Sequence, residues 1–263
     1  MKAPILLVGA GRMGGALLRG WIAAGIGPVV VVEPKPSAAL KTLKVRRVAS
    51  IADAPADARA VLVALKPQVL KTEAAALRRF NKALVVSIAA GTSTKTFARA
   101  IGPGARVIRA MPNTPGSIGQ GITALYAGRG VRSKDKALAV ELLSALGETV
   151  WVKREADIDA VTAVSGSGPA YVFLMVEALA DAARAVGLPG ALADKLARAT
   201  VAGSGALLTA DATTAAADLR RNVTSPGGTT EAALQILMAK QGLTPLMRRA
   251  VAAARKRARE LGA

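Results

Sequence analysis

The chain has 263 residues, 52% of them hydrophobic and 20% charged, with neither cysteine nor histidine and a formal net charge of +19. The two zeros exclude disulfide frameworks, thiolate metal sites and thiol nucleophiles, and with them Ser-His-Asp triads and histidine metal ligands. Acid–base chemistry must come from carboxylates, lysines, hydroxyls or a bound cofactor, and no metal site is expected.

Short β-branched runs alternate with helical segments through the first half, the pattern of a parallel sheet covered by helices. Ile5–Val8 reads as a strand and Met13–Ala24 as a helix; the strand Val29–Glu33 follows. Next come the strand Ala60–Ala64 with the helix Gln68–Phe80, the strand Leu84–Ile88 with the helix Thr94–Ile101, and the strand Val107–Ala110. A helix around Ser133–Leu146 precedes a last strand near Thr149–Val152. From Glu155 onward strand-like runs vanish and Ala/Leu-rich helical periods take over. Ala156–Val186, Ala191–Thr209, Ala215–Asn222 and Thr229–Gln241 read as helices, punctuated by Gly187, Pro189, Gly190, Pro226 and Gly242. Two domains are predicted, an α/β domain over 1–153 and an all-α domain over 154–263. Alanine-rich helices bury little area each, so the second domain is expected to complete its burial against another copy of the chain.

Two uncharged stretches come closest to a membrane span, Gly20–Val32 and Ala160–Val176. The first contains glycines and a proline and the second the run SGSGP, so neither reads as a continuous apolar helix of the required ~20 residues. The N-terminus makes a poor signal peptide, and a cytoplasmic protein without membrane contact is expected. Residues 1–150 hold 22 Lys and Arg against 7 Asp and Glu, a net of +15, whereas residues 151–263 hold 14 against 10, a net of +4. A basic surface favours anionic partners without naming one. Seven aromatic residues with no basic–aromatic alternation argue against nucleic acid. Arg248, Arg249, Arg255, Lys256, Arg257 and Arg259 read as a solvated helix face.

The first strand runs into GAGRMG, whose Gly9, Gly11 and Gly14 have the G-x-G-x-x-G spacing and open a helix, as a dinucleotide fingerprint requires. Gly9 permits the tight turn, Gly11 the approach of the pyrophosphate and Gly14 close helix–strand packing, with Arg12 and Met13 at the helix start. The end of the second strand, where the adenosine ribose belongs, sends a mixed signal. Glu33 suits the ribose hydroxyls of NADH, whereas Lys35 and Ser37 suit a 2′-phosphate. NADPH is the expected cofactor, with NADH a substitute. Three further loops follow later strands: ALKPQ, with Ala64, Lys66 and Pro67; SIAAG, with Ala89 and Ala90; and AMPNTPG, in which Pro112 and Pro115 bracket Asn113 and Thr114. In the helical half, SGSGPAYVF begins a helix with small residues, and NVTSPGGTTEAAL places two glycines and two threonines before another. With Thr229 or Thr230 as cap, that second helix start forms a cradle for a carboxylate.

These motifs, in this order and over nearly the whole chain, resemble the pyrroline-5-carboxylate reductase family; RAMPNTP, SGSGPAY and SPGGTT carry most of the likeness. The resemblance implies an α/β Rossmann-type N-terminal domain with a parallel-rich sheet. It also implies an all-α C-terminal dimerisation domain of the 6-phosphogluconate dehydrogenase C-terminal type, which interlocks with its twin. Some members build larger rings of dimers, such as a decamer. The reaction implied is hydride transfer from NAD(P)H to the C=N carbon of 1-pyrroline-5-carboxylate, giving L-proline. By similarity, Ser225, Gly228 and Thr229 hold the substrate carboxylate, and Thr230 hydrogen-bonds the ring nitrogen and is the catalytic candidate. Glu155 and Asn222 match positions near the substrate or nicotinamide, and Met111 and Asn113 match cofactor contacts. Two departures stand out: Ala49-Ser50-Ile51 lacks the asparagine that many members carry there, and Glu33 replaces a small polar residue.

The implied chemistry suits a chain without imidazole. An imine is basic enough to be protonated before hydride arrives, so positioning and charge complementarity remain the protein's task. A β-hydroxyacid dehydrogenase would share the two-domain plan, but it needs a lysine in the first long helix of its second domain, and no Lys or Arg lies between Arg154 and Arg184. Reduction of other cyclic imines is a second alternative. A non-catalytic NAD(P)-binding regulator is a third, against which the intact SPGGTT speaks.

Overall fold

A computed structural model describes residues 3–262. Eight strands, β1 (Ile5–Val8), β2 (Val29–Val32), β3 (Arg46–Val48), β4 (Ala60–Val63), β5 (Leu84–Ser87), β6 (Arg106–Met111), β7 (Gly121–Ala127) and β8 (Gly147–Trp151), form one sheet. Their order is β3-β2-β1-β4-β5-β6-β7-β8. β1 to β6 run parallel, β7 is antiparallel to β6, and β8 is parallel to β7. The helices of this half are α1 (Arg12–Ala23), α2 (Ala38–Lys41), α3 (Pro67–Glu73), α4 (Thr94–Ile101) and α5 (Ser133–Leu143).

The apolar runs of the central strands are continuous because both faces of the sheet are covered. Ile5, Leu7, Leu62 and Ile108 pack with Leu17, Leu18 and Trp21 of α1 and Leu142 of α5. Leu6, Val61, Val63 and Val85 pack on the opposite face with Phe97 and Ile101 of α4. The Trp21 indole N–H donates to the Leu142 carbonyl at 2.7 Å, which satisfies the polar atom of the bulkiest buried side chain.

The predicted strands and helices are present, most with ends shifted by a residue or two. The helix expected to Leu146 ends at Leu143 and that expected to Gln241 ends at Leu237, and the structure adds three elements. β3 is a charged edge strand, Arg46-Arg47-Val48, whose exposed arginines gave no strand signal and suit an edge that must not pair further. β7 follows a glycine-rich turn and returns antiparallel, and α2 is a single turn capped by Ser37. The helix expected to Phe80 ends at Glu73 and continues as a tighter 3₁₀ turn over Ala74–Phe80.

By contacts the chain forms two compact units, one reaching Ser167 and the other spanning Gly168–Ala253, and the last turns of the final helix belong with the first. The first unit thus extends past residue 153, because Ile158 of α6 (Asp157–Val161) packs against Met111 and Ala124 of the sheet. A π-helical turn, Thr162–Gly166, links α6 to α7 (Gly168–Ala185). There follow α8 (Gly190–Ala210), α9 (Ala216–Asn222), α10 (Thr229–Leu237) and α11 (Leu243–Gly262).

The helix expected over Ala156–Val186 is present, and the run SGSGP, expected to keep it from being a continuous apolar span, widens one turn without breaking it. Asp157–Ala185 is one helical run of 29 residues, long and apolar enough by length and composition to cross a membrane. The widened turn is held by the Ser167 N–H donating to the Thr162 carbonyl at 2.8 Å. The hydroxyls of Thr162 and Ser165 donate to the carbonyls of Ile158 and Val161, so the carbonyls that the π-turn releases keep partners. Among the described residues of the second unit only Ala180, Ala193 and Ala197 are buried, while Phe173 and Leu174 of α7 are 60% and 61% exposed.

Candidate active site

In an open parallel sheet a ligand binds beyond the carboxyl ends of the strands, where the strand order reverses. Here the reversal lies between β1 and β4. The loops after these two strands meet: the Ala64 N–H donates to the Val8 carbonyl at 2.8 Å, and a Cβ at Gly9 would stand 2.9 Å from the Ala64 carbonyl oxygen. Gly9 has φ +90°, a conformation glycine takes without strain. A Cβ at Gly14 would lie 2.2 Å from the Gly9 carbonyl oxygen, so α1 can begin this close to β1 only with glycine there.

Gly11 is different. Its φ of −65° suits any residue, and a Cβ there would meet nothing within 4 Å. The protein itself leaves that position free, as the approach of a pyrophosphate requires. Gly11 is also the N-cap of α1 and supplies no side-chain cap, so the first N–H groups of the helix point toward the same space. This loop fits a dinucleotide. Met13 packs onto the α1–α5 core, and its Cε lies 3.4 Å from a Cβ built on Gly116, which joins the glycine loop to the PNTPG turn.

At the end of β2 the Glu33 carboxylate is engaged, accepting from the Ala10 N–H at 2.9 Å and the Lys35 N–H at 3.2 Å. The Ser37 hydroxyl accepts from the Leu40 N–H at 3.2 Å, which leaves its own proton available. Lys66 is the exposed N-cap of α3; the side chain of Pro67 lies outside the described residues. Ala89 is buried, its N–H donating to the Ser87 hydroxyl at 3.2 Å, and Ala90 is exposed beside it. Asn113 accepts the Ile122 N–H on its side-chain oxygen at 3.0 Å, pinning the start of β7. The Met111 side chain lies in a small apolar cluster under α6.

Glu155, matched by resemblance to a place near the substrate, is instead occupied within the first unit. Its Oε1 accepts from the Thr94 N–H at 2.7 Å and its Oε2 from the Thr94 hydroxyl at 2.8 Å. The buried Arg109 guanidinium lies 3.6 Å from Glu155 and 3.3 Å from Asp159. A direct substrate contact by this carboxylate therefore does not follow from the geometry; it ties the start of α6 to α4 and β6. The sequence held a signal for this network, since an arginine inside a strand covered on both faces must find charged partners. One turn on, the Arg154 guanidinium donates to Asp157 at 2.7 Å and holds its carboxyl below the ordinary aspartate range, with a smaller contribution from Arg255.

α11 also does more than present a solvated face. A Cβ at Gly91, in the loop after β5, would stand 2.7 Å from the Leu261 carbonyl oxygen, so the last turn of α11 rests on the loop that carries Ala89 and Ala90.

In the second unit the SPGG turn is closed by the Gly228 N–H donating to the Ser225 carbonyl at 3.0 Å. Gly228 is the N-cap of α10 and offers no side chain, so Thr229 and Thr230 are its first helical residues rather than caps. Their N–H groups, with the threonine hydroxyls, make a helix start suited to a carboxylate. Asn222 ends α9, and Asn222, Ser225 and Thr229 are exposed. Glu231, which the motif did not single out, folds back to accept the Gly227 N–H at 2.7 Å and fixes the turn.

Residues 155–261 match the family profile described as pyrroline-5-carboxylate reductase dimerisation, and residues 4–91 match one described as NADP oxidoreductase, coenzyme F420-dependent. The chain is 40% identical to the pyrroline-5-carboxylate reductase of Pseudomonas aeruginosa, over 99% of this chain and 98% of that protein. This chain belongs to the pyrroline-5-carboxylate reductase family. The structure of the Coxiella burnetii pyrroline-5-carboxylate reductase superposes with a TM-score of 0.91 at 34% identity, each chain fully covered. That of the Plasmodium falciparum pyrroline carboxylate reductase, solved with NADP bound, does so with a TM-score of 0.82 at 27% identity, covering 100% of this chain and 99% of that one. The family is one of oxidoreductases with a Rossmann-like first domain and a helical dimerisation domain, and the sheet and helices described above are that fold.

Proposed function

We propose that the protein reduces the C=N bond of 1-pyrroline-5-carboxylate to L-proline, the last step of proline biosynthesis, with NADPH as coenzyme and NADH as a substitute. The observation that carries this reading is the uncapped SPGGTT helix start, an anion cradle in a chain related over its whole length to reductases of that carboxylate-bearing imine.

When bound, the reduced nicotinamide supplies hydride to the imine carbon. Gly9, Gly11, Met13 and Gly14 receive the pyrophosphate end, and Arg12 borders the coenzyme beside them. Lys35 and Ser37 are the adenosine-side candidates, and Ala64, Lys66, Pro67, Ala89, Ala90, Met111 and Asn113 belong to the loops that border the coenzyme. Ser225, Gly228 and Thr229 hold the substrate carboxylate, with Asn222 beside them, and the Thr230 hydroxyl donates to the ring nitrogen. Once the nitrogen is protonated, the same hydroxyl oxygen accepts its N–H, which keeps the ring oriented and stabilises the iminium, so the carbon is electrophilic without an imidazole. Glu155 acts by position: it fixes the turn before α6 and touches no reacting atom. The helical unit forms the dimer, the assembly works in the cytoplasm, and a decamer would be a ring of such dimers.

Oxidation of NADPH or NADH followed with pyrroline-5-carboxylate tests the reading. Thr230→Ala is expected to lower kcat/KM by about tenfold or more, the loss from one hydrogen bond to a charged group, with coenzyme affinity unchanged. Wild-type protein that oxidises neither coenzyme with this substrate would refute the assignment and promote the regulator. Faster turnover of another cyclic imine would reassign the substrate.

A further inference from the structure

The coenzyme question left open by Glu33, Lys35 and Ser37 has an answer in the side chains of α1. Arg12, Gly15 and Arg19 follow one another at intervals of three and four residues, so they share one face of the helix. All three line a pocket of about 330 Å³ whose wall continues to Ala10, Gly11 and Ser37. Gly15 makes the trough: a Cβ built there would meet the Arg19 Nη1 at 3.5 Å, which shows that this guanidinium lies back over the first turn of α1. Neither arginine has an ion-pair or hydrogen-bond partner among the described residues. Ser37, opposite them, accepts the Leu40 N–H and keeps its hydroxyl proton to donate.

The acid that would repel a phosphate is turned aside. Both Glu33 oxygens accept backbone N–H groups, those of Ala10 and Lys35, and Glu33 does not line the pocket. The Lys35 side chain does not line it either. The pocket adjoins the glycine loop at one end and the loop after β2 at the other, the stretch along which an adenosine ribose lies in this fold.

We propose that Arg12 and Arg19, with the Ser37 hydroxyl, form the subsite for the 2′-phosphate of NADPH, and that this pair rather than Lys35 sets the coenzyme preference. The inference rests on the dinucleotide reading of the glycine loop. Two planar donors matched to a dianion are the arrangement by which arginine recognises phosphate. Glu33 then serves as a clasp on the glycine loop and does not select NADH.

The test is equilibrium binding to the full-length protein, read by nicotinamide fluorescence for NADPH and NADH and by calorimetry for adenosine 2′,5′-bisphosphate and ADP. Wild type binds NADPH more tightly than NADH. Arg19→Ala lowers the affinity for NADPH and for the bisphosphate by about tenfold, the usual loss of one charge-assisted hydrogen bond, and the ratio of NADPH to NADH affinity falls with it. Arg19→Lys, which keeps the charge without the fork, recovers part of the ratio. Equal weakening of both coenzymes by Arg19→Ala would overturn the proposal, as would a wild type with no preference for NADPH, or a ratio that collapses in Lys35→Ala and persists in Arg19→Ala. Wild-type protein that binds neither coenzyme would refute the dinucleotide reading itself, which is a different failure. An unchanged melting temperature in each variant shows that the fold is intact.

Discussion

Two of the three fingerprint glycines, Gly11 and Gly14, are required by different partners, and this yields a prediction with opposite outcomes at nearby positions. At Gly14 the protein is the obstacle: an added Cβ would sit 2.2 Å from the Gly9 carbonyl oxygen and 3.2 Å from the Ala64 Cβ. That carbonyl is backbone and would have to withdraw by about 1 Å to reach an ordinary contact distance, an overpacking error whose usual cost is roughly 1–3 kcal/mol. At Gly11 an added Cβ meets nothing within 4 Å and the backbone φ is −65°. The only folded-state penalty of Gly11→Ala is the poorer N-cap, at most about 1 kcal/mol. A methyl group there stands where the pyrophosphate approaches the α1 N–H groups, and losing two such bonds to an anion costs about 3 kcal/mol or more, a factor of about a hundred in affinity. Urea unfolding and NADPH titration of both variants separate the effects. Gly11→Ala should unfold within about 1 kcal/mol of wild type and bind NADPH about a hundredfold more weakly, while Gly14→Ala should lose stability first. Wild-type NADPH affinity in Gly11→Ala would show that the pyrophosphate does not use this loop.

Other consequences are open to the same kind of measurement. Arg109→Met strands the carboxylates of Glu155 and Asp159 in a largely buried place and should cost about 3 kcal/mol in urea unfolding, of which Arg109→Lys recovers part; a loss under 1 kcal/mol would show that water, not Arg109, satisfies them. The Asp157 carboxyl is held below its ordinary range by Arg154, so the pair stabilises the folded state above the unfolded-state pKa of an aspartate and loses that contribution as pH falls through the lowered one. Asp157→Asn should therefore remove a small part of the acid-side slope of stability and leave the neutral-pH slope unchanged. Phe173→Glu places a charge among the exposed apolar residues of α7 and should convert dimer to monomer in light scattering at micromolar protein.

Legibility followed what each residue has to satisfy locally. β1, β2, β4 and β5 were plain because strands covered on both faces read as nearly unbroken apolar runs, β6 was plain despite Arg109 because Val107 and Ile108 are β-branched, and the glycine loop was plain because its spacing is fixed by sterics within a few residues. β3 was not: Arg46 and Arg47 are exposed on an edge, where no pattern is enforced. The anion cradle before α10 was visible in SPGGTT, but its cap, read as Thr229 or Thr230, is Gly228, since a glycine N-cap leaves no side-chain signature. Glu155 shows the opposite failing. The family motif points toward the substrate, while the carboxylate is consumed by Thr94 and Arg109, 61 and 46 positions away, and only the fold brings them together. Arg19 was missed for the same reason: its meaning depends on Ser37 facing it across a trough that Gly15 creates.

The helical run Asp157–Ala185 poses the sharpest contest between two physical readings, because its length and composition meet the requirement for a membrane span. A lipid-facing α7 would carry Glu177 and Asp181 into hydrocarbon, at about 2.5–3.5 kcal/mol for an acid near the centre. The same helix packs on α8 through alanines, with Ala180, Ala193 and Ala197 buried, and leaves Phe173 and Leu174 facing outward. Small residues on one side fix the helix pair at close range, and the large apolar residues on the other, Phe173 and Leu174, are 60% and 61% exposed. A unit whose buried residues are three alanines cannot hold its fold by its own core, so the outward face must be covered by protein. The family profile over 155–261 names a dimerisation domain, and a second copy presenting the same face covers both at once. The scarcity of core in the helical unit and the excess of apolar surface on α7 are therefore one fact, and self-association through this face would answer both.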